Sequence, residues 1–304
     1  MASHQAEEIP NAFIWRRLHS LAGLFFVLYL IEHLLVNSQA ALMFGEDGAG
    51  FVKSVNKIHE LPYLIYIEIF LLGVPILFHT VLGIRYLFTA SPNSYGRVGN
   101  QVYLPEYSRN QAYTWQRITS WILLFAIAAH VIQMRIREYP LSAKEGRETS
   151  YMVRIKQDPG LSTLAERLGF QIYDQARIDK AKQEKHVESQ QFQEQQAHWL
   201  EVLQQKPLKE GQVIAVSRSF GMAELLMLRE TFKSPLMIAL YTVLVLTACY
   251  HGFNGMWTFM IKWGITLTQR SQMLMRYFTT FLMILVAFWG LAAVWGTYWI
   301  NLKH

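Results

Sequence analysis

A chain of 304 residues that is 52% hydrophobic, 14% aromatic and only 16% charged is too apolar for a typical soluble domain, in which charged residues make up about a quarter. Its one cysteine, Cys249, excludes a disulfide framework, a thiolate zinc site and a cysteine-ligated iron–sulfur cluster. The net charge of +6 comes without a basic run interleaved with aromatics, which argues against nucleic acid and for positively charged loops on a membrane protein.

The chain opens on MASHQAEEIPNAFIWRR, polar and acidic, with no small-residue cleavage site behind a basic stretch, so no signal peptide is expected. Five apolar segments follow: Leu18–Val36, Leu64–Phe88, Ile118–Met134, Pro235–Ile261 and Tyr277–Ile300. A membrane span needs about 20 residues, so the third is short and the fourth long. Pro75 interrupts the second, and a kink is expected there. Residues 139–219 differ, being rich in Gln, Glu, Lys and Arg; within them ARIDKAKQEKHVESQQFQEQQAHWLEVLQQ (176–205) lacks Gly and Pro and reads as a solvated helix. The expected fold is an all-α membrane protein with five transmembrane helices, the first four forming a bundle, and a polar helical insertion between spans three and four. Residues 1–138 and 220–304 would make the membrane domain, and 139–219 a soluble, mostly helical insertion on the outer face.

Orientation follows from Lys and Arg beside the spans. Arg16, Arg17, Arg85, Arg97, Arg109, Arg117, Lys262, Arg270 and Arg276 flank one set of ends, against Lys53 and Lys57 in the short loop on the other side. The N-terminus is therefore expected inside, the C-terminus and the insertion outside.

Each of the first four spans carries one deep histidine: His33, His79, His130 and His251. At 1.5 Å of rise per residue, His33 lies about 9 Å and His130 about 6 Å beyond the midpoints of two outward-running spans. His79 and His251 each lie about 4–5 Å beyond the midpoints of two inward-running ones. Two histidines at one height on different helices, twice over, suit two planar macrocycles held edge-on in a four-helix core, and neutral imidazole is a good ligand for haem iron. Gly83 and Gly255 follow their histidines by four residues and Ala126 precedes His130 by four, so small residues share the ligands' faces. A lone transmembrane histidine more simply bonds a neighbouring helix; four in level-matched pairs favour haem. A histidine relay in a haem-free proton-coupled transporter is the rival, although the paired broken helices of many transporters are not apparent here. His19 and His33, about 21 Å apart along a helix, imitate the spacing in the cytochrome b of quinol–cytochrome c reductases, but no second helix carries such a pair.

In order along the chain, FIWRRLHSLAGL, IEHLLVN, LPYLIYIEIF, FHTVLGIRYLFTA, QRITSWILLF, TFKSPLM and YHGFNGMWTFMIKWGITLTQRSQ resemble the di-haem cytochrome b subunit of bacterial succinate:quinone oxidoreductases. The resemblance covers all five spans. It implies two b haems, with His33 paired to His130 and His79 to His251. It also implies an iron–sulfur subunit docked on the inner face of the bacterial cytoplasmic membrane, a flavoprotein that oxidises succinate, and quinone, with menaquinone suggested by the di-haem members. Fumarate reduction uses the same architecture in reverse. The chain departs from the family in its long outer insertion and in Glu32, where polar uncharged residues are more familiar.

Candidates for the haem propionates are His19, Ser20, Arg17, Arg117 and Lys262, with positive-inside anchoring as the plainer role for the cations. Candidates for quinone and its protons are Glu68 within span two, His59 in the loop before it, and Glu32, about 100° around the helix from His33. Trp257, Trp263, Trp289, Trp295 and Trp299 read as packing or interfacial residues.

Overall fold

The computed structural model describes residues 10–42, 46–89, 106–145, 147–183, 190–205 and 208–303. Arg97, the N-terminal residues 1–9 and residues 184–189 of the expected solvated helix lie outside them. In chain order the elements are α1 (Asn11–Ser38), α2 (Ala49–His59), α3 (Leu64–Glu68), a π-helical stretch (Ile69–Gly73), α4 (Val74–Thr89) and α5 (Ser108–Val131), continued by a second π stretch (Ile132–Arg137). The insertion follows with β1 (Leu141–Glu145), β2 (Glu148–Lys156), α6 (Leu161–Leu168), β3 (Gln171–Tyr173), α7 (Gln175–Gln183), α8 (Gln190–Gln204) and β4 (Gln212–Ser217). After it come α9 (Phe220–Thr231), α10 (Pro235–Lys262), α11 (Gln269–Leu291), a third π stretch (Ala292–Gly296) and α12 (Thr297–Lys303).

Among the described residues, five helices are long and apolar enough to cross a membrane: Asn11–Ser38, Leu64–Phe88, Ser108–Arg137, Pro235–Lys262 and Gln269–Leu302. The third is not short. Its apolar stretch is extended toward the N-terminus by the polar segment SRNQAYTWQR, giving a helix of 30 residues. Pro75 has no N–H for the carbonyl of Leu71, and its ring crowds that carbonyl. The span answers with the wider π turn over Ile69–Gly73, directly behind Glu68; such turns recur at functional sites.

The chain divides into two compact units. The first holds Met1–His33, Tyr63–Ile127 and Val243–Phe288, and the second Leu34–Pro62, Ala128–Thr242 and Trp289–His304. The first unit is helical. Its helices approach closely where side chains are small: a Cβ on Gly252 of α10 would lie 3.2 Å from Val27 of α1. Trp257, buried in α10, ties the start of α11 by donating from Nε1 to the carbonyl of Gln272 at 3.1 Å.

The second unit contains a four-stranded antiparallel sheet of order β1-β2-β4-β3, which stands beside the expected helices of the insertion. In β4 the run Val-Ile-Ala-Val is buried throughout, because helices cover both faces, as continuous apolar strands require. Val213 and Ala215 join Val153, Ile155, Phe170 and residues of α6 and α9 in one core, whereas Ile214 and Val216 join Met152, Ile178, Trp199 and Leu203 in the other. Gly169, with φ 71°, ends α6 in the left-handed conformation that glycine tolerates. The cover of the sheet thus runs past residue 219 into α9.

Helix α2 lies against α9 so closely that a Cβ on Gly221 would fall 2.5 Å from the Val52 carbonyl oxygen. Asn56 of α2 serves the α9 N-terminus, accepting from the Gly221 N–H at 2.7 Å and donating to Ser219 Oγ at 2.9 Å. Ser219 Oγ in turn caps Met222 N.

Glu224, on α9, carries a titratable group in this packing. Burial pushes its carboxyl up from 4.5 to about 7, against the pull of the Arg135 cation. Between those values the unfolded chain releases a proton that the folded chain keeps, so stability is highest below the unfolded value and falls as pH rises towards 7. Glu224→Gln is expected to match the wild type near pH 4.5 and to exceed it at pH 8, by up to about 3 kcal/mol. Thermal unfolding midpoints at the two pH values check this; a variant that gains nothing at pH 8 contradicts it.

Candidate functional site

The four span histidines are half-buried, and each has Nδ1 in a hydrogen bond. His79, on α4, places Nδ1 3.0 Å from the carbonyl oxygen of His19 on α1. A carbonyl only accepts, so the proton is on Nδ1 and the lone pair on Nε2. His251 Nδ1 lies 3.2 Å from Thr119 Oγ1, whose own proton is directed to the Trp115 carbonyl at 2.8 Å. His130 Nδ1 lies 3.1 Å from the Tyr241 hydroxyl, which donates to Gln133 Oε1 at 3.2 Å. Both arrangements select the same tautomer, with Nδ1–H donating. His33 Nδ1 is 3.2 Å from the hydroxyl of Tyr29, one helical turn earlier, and the two rings stack.

Metal-binding histidines regularly donate their second N–H to a carbonyl or another fixed oxygen, which sets the ring's direction and raises its basicity. The arrangement here has that form. His79 and His251 lie in one unit with ring centroids 6.2 Å apart and planes at 82°. Two imidazoles on either side of one metal, each nitrogen about 2 Å from it, put their centroids at roughly that separation. Room beside His79 comes from Gly23, where a Cβ would stand 2.8 Å from His79 Cε1. Gly83 and Gly255 face His19 and Gln116 respectively, at 3.6 Å from a virtual Cβ, so the tightest small residue beside a candidate ligand is one that spacing did not single out.

His19 stacks on His79 with centroids 4.0 Å apart and planes 12° apart. Its Nδ1 is buried and has no hydrogen-bond partner among the described residues. The other propionate candidates gather partly around it. Arg17 Nη2 donates to the Lys262 carbonyl at 3.0 Å, and Ser20 Oγ accepts from Trp263 Nε1 at 3.0 Å. Arg117 is directed elsewhere, to the Tyr113 hydroxyl and the Leu87 carbonyl. A buried imidazole nitrogen without a partner among the described residues, with Lys262 close enough to act on it, suits a carboxylate such as a haem carries when that nitrogen holds the proton, so the residues present fit that group.

The quinone candidates fall in both units. Glu68 is half-buried at the start of the span-two π turn, and Glu32 is exposed on α1. His59 belongs to the other unit, where it stacks on Phe220 at 3.9 Å and lies 3.2 Å by Nε2 from the Tyr151 hydroxyl. Of the tryptophans, Trp263 and Trp295 donate to Ser20 and to Thr242 Oγ1.

Sequence reasoning missed Tyr29, Thr119, Tyr241, Gln133 and Gly23. Tyr29 was within reach, since residues four apart share a helix face. Gln133, three residues after His130 on the same span, was within reach for the same reason. Thr119, Tyr241 and Gly23 act across helices, and no spacing within one segment reveals them.

No family model matches the chain, and no solved structure matches it. Over 285 residues, 93% of this chain and 96% of the relative, it is 26% identical to the succinate dehydrogenase cytochrome b558 subunit of Bacillus subtilis (strain 168).

Proposed function

From this kinship with a succinate dehydrogenase cytochrome b subunit, we propose that the chain anchors a succinate:quinone oxidoreductase in the membrane and passes its electrons to quinone through two b haems. The observation that carries the reading is the Nδ1 hydrogen bond made by every one of the four span histidines. His79 and His251 would hold an inner haem, and His33 and His130 an outer one, a pairing supported by helical depth and by the family resemblance. When bound, such haems supply a one-electron couple at each level.

The chain's own residues supply ligation, orientation and protons. The carbonyl of His19 and the hydroxyls of Thr119, Tyr241 and Tyr29 hold the four rings. His19, Ser20, Arg17 and Lys262 would receive propionates at the inner edge, with Arg117 as a further cation. Glu68, with His59 and Glu32 as lesser candidates, would serve protons to a quinone, of which menaquinone is the expected kind. Partner subunits complete the complex: a flavoprotein that oxidises succinate and an iron–sulfur protein on the inner face. The proposed location is the bacterial cytoplasmic membrane, N-terminus inside, C-terminus and the 139–219 insertion outside, and succinate oxidation is the proposed direction.

Haem extraction with a redox difference spectrum of the purified protein tests this. Two b haems per chain are expected; zero haem would leave the proton-coupled transporter as the better reading. A finer test is Tyr241→Phe. It keeps the ring against Phe232 but removes the oxygen between His130 and Gln133. Loss of such a supporting group typically costs 10–100-fold in affinity. The outer haem is therefore expected to dissociate about 10–100 times more readily, with the inner haem unchanged. Equal retention of both haems would remove the proposed role of the hydroxyl.

A further inference from the structure

Where α6 begins, α9 ends and α12 closes span five, the second unit encloses a cavity of about 410 Å3 for which the electron-transfer reading has no use. At its wall Arg229 is only 6% exposed. Its Nη2 reaches the Asp47 carbonyl at 3.4 Å, and its Nε has no hydrogen-bond partner among the described residues. The neighbouring carboxylates are already engaged. Asp47 takes Arg167 at 3.0 and 2.6 Å, and Lys233 takes Asp158 at 2.9 Å and Glu230 at 3.0 Å. Arg229 is left as a buried cation that feels the Asp47 carboxylate only as an anion shared with Arg167, an arrangement that is costly for a buried charge and leaves room for a further counter-charge.

The cavity offers a second feature of the same sign. Helix α6 starts at Gly160, which has no side chain to cap it, and the N–H of Thr163 makes no hydrogen bond among the described residues. A helix N-terminus presents such N–H groups and a partial positive charge to an anion.

We propose that this cavity binds a phosphate group, held between the Arg229 guanidinium and the first turn of α6. A guanidinium fork on one wall and backbone donors on another suit an anion with several acceptor oxygens. Leu161, Leu164, Leu226 and Ile300 add an apolar wall, which leaves space for an ester substituent. Ile300 and Asn301 end span five, and Lys233 stands just ahead of span four, so the cavity belongs at a membrane boundary. A lipid phosphodiester and free phosphate share the recognised chemistry and differ in their use of the apolar wall.

The test is a thermal shift of the full chain in its complex, stripped of lipid in detergent, against three probes. These are inorganic phosphate, a short-chain phosphatidylglycerol, and chloride at matched ionic strength. Ligand that binds only the folded state raises the midpoint, so a rise of several degrees is expected with the phosphate probes and none with chloride. A rise with the lipid alone assigns a headgroup, and an equal rise with both assigns the phosphate group by itself. Arg229→Met should abolish the ligand-dependent rise. Arg167→Gln, at the exposed rim, should weaken binding about tenfold by releasing Asp47 to pair with Arg229, and it remains informative if the first variant does not fold. No rise with either phosphate probe, an equal rise with chloride, or an unchanged response in either variant overturns the proposal.

Discussion

Replacing His79 or His251 with alanine is expected to remove the inner b haem and spare the outer, while His33→Ala or His130→Ala does the reverse. If each proposed haem is held by two histidines, one of its protein ligands is lost in each case, and near-complete loss of that spectral component should follow. The inner level offers a converging variant that leaves all four histidines in place. Gly23→Ala would put a methyl 2.8 Å from His79 Cε1, and the ring is already fixed by the His19 carbonyl and the stacked His19 ring. It must shift by several tenths of an ångström, and ligand geometry tolerates little displacement. Gly23→Ala should therefore resemble a weakened His79→Ala, with the inner component reduced and the outer intact. Redox difference spectra of assembled protein check the set. Loss of one and the same component from His33→Ala and His79→Ala would refute the pairing.

Glu68→Gln is expected to slow quinone reduction severalfold while both haems stay bound, and wild-type turnover in sealed vesicles should respond to membrane potential. Glu68 precedes His79 by eleven residues, about 16 Å of helix towards the outer side in the proposed orientation. Electrons arriving from inside and protons taken from outside would move charge across the membrane. Each elementary charge moved through 100 mV is worth about 2.3 kcal/mol, comparable with the driving force of a weakly favourable redox step. The π turn gives Glu68 a local reason to differ from an ordinary helical residue, since it starts directly behind the carboxylate. If Glu68 only braces the bundle, Glu68→Gln should lower haem content or stability and spare turnover per haem. An uncoupler without effect on the wild type, with full activity per haem in the Gln variant, would leave the outer-site mechanism unsupported.

The spans are legible in the sequence because a bilayer demands long apolar runs, and the four histidines stand out because polar groups within such runs are few. Span three was legible in place but not in length, since SRNQAYTWQR extends its helix without being apolar. The sheet was hidden for a different reason. Its central strand offers only Val-Ile-Ala-Val between polar neighbours, and β3 has three residues, too few for a period to register against abundant Gln and Lys. The oxygens that orient His130 and His251 were illegible because Tyr241 and Thr119 lie 111 and 132 residues away in sequence.

The packing of α2 against α9 also sets an order of events during synthesis. Asn56 and Val52 emerge early, between the first two spans, yet the backbone they meet at Gly221 is made 165 residues after Asn56. At about 5–20 residues per second, α2 waits roughly ten to thirty seconds for its partner. Three further segments, two of them spans, are placed in that interval. Until then Val52 and Asn56 have no α9 to pack against, and the sheet lacks the helix that closes one face. The second unit is therefore a late assembly, completed only when α9 has been delivered to the side of the membrane where α2 is already waiting.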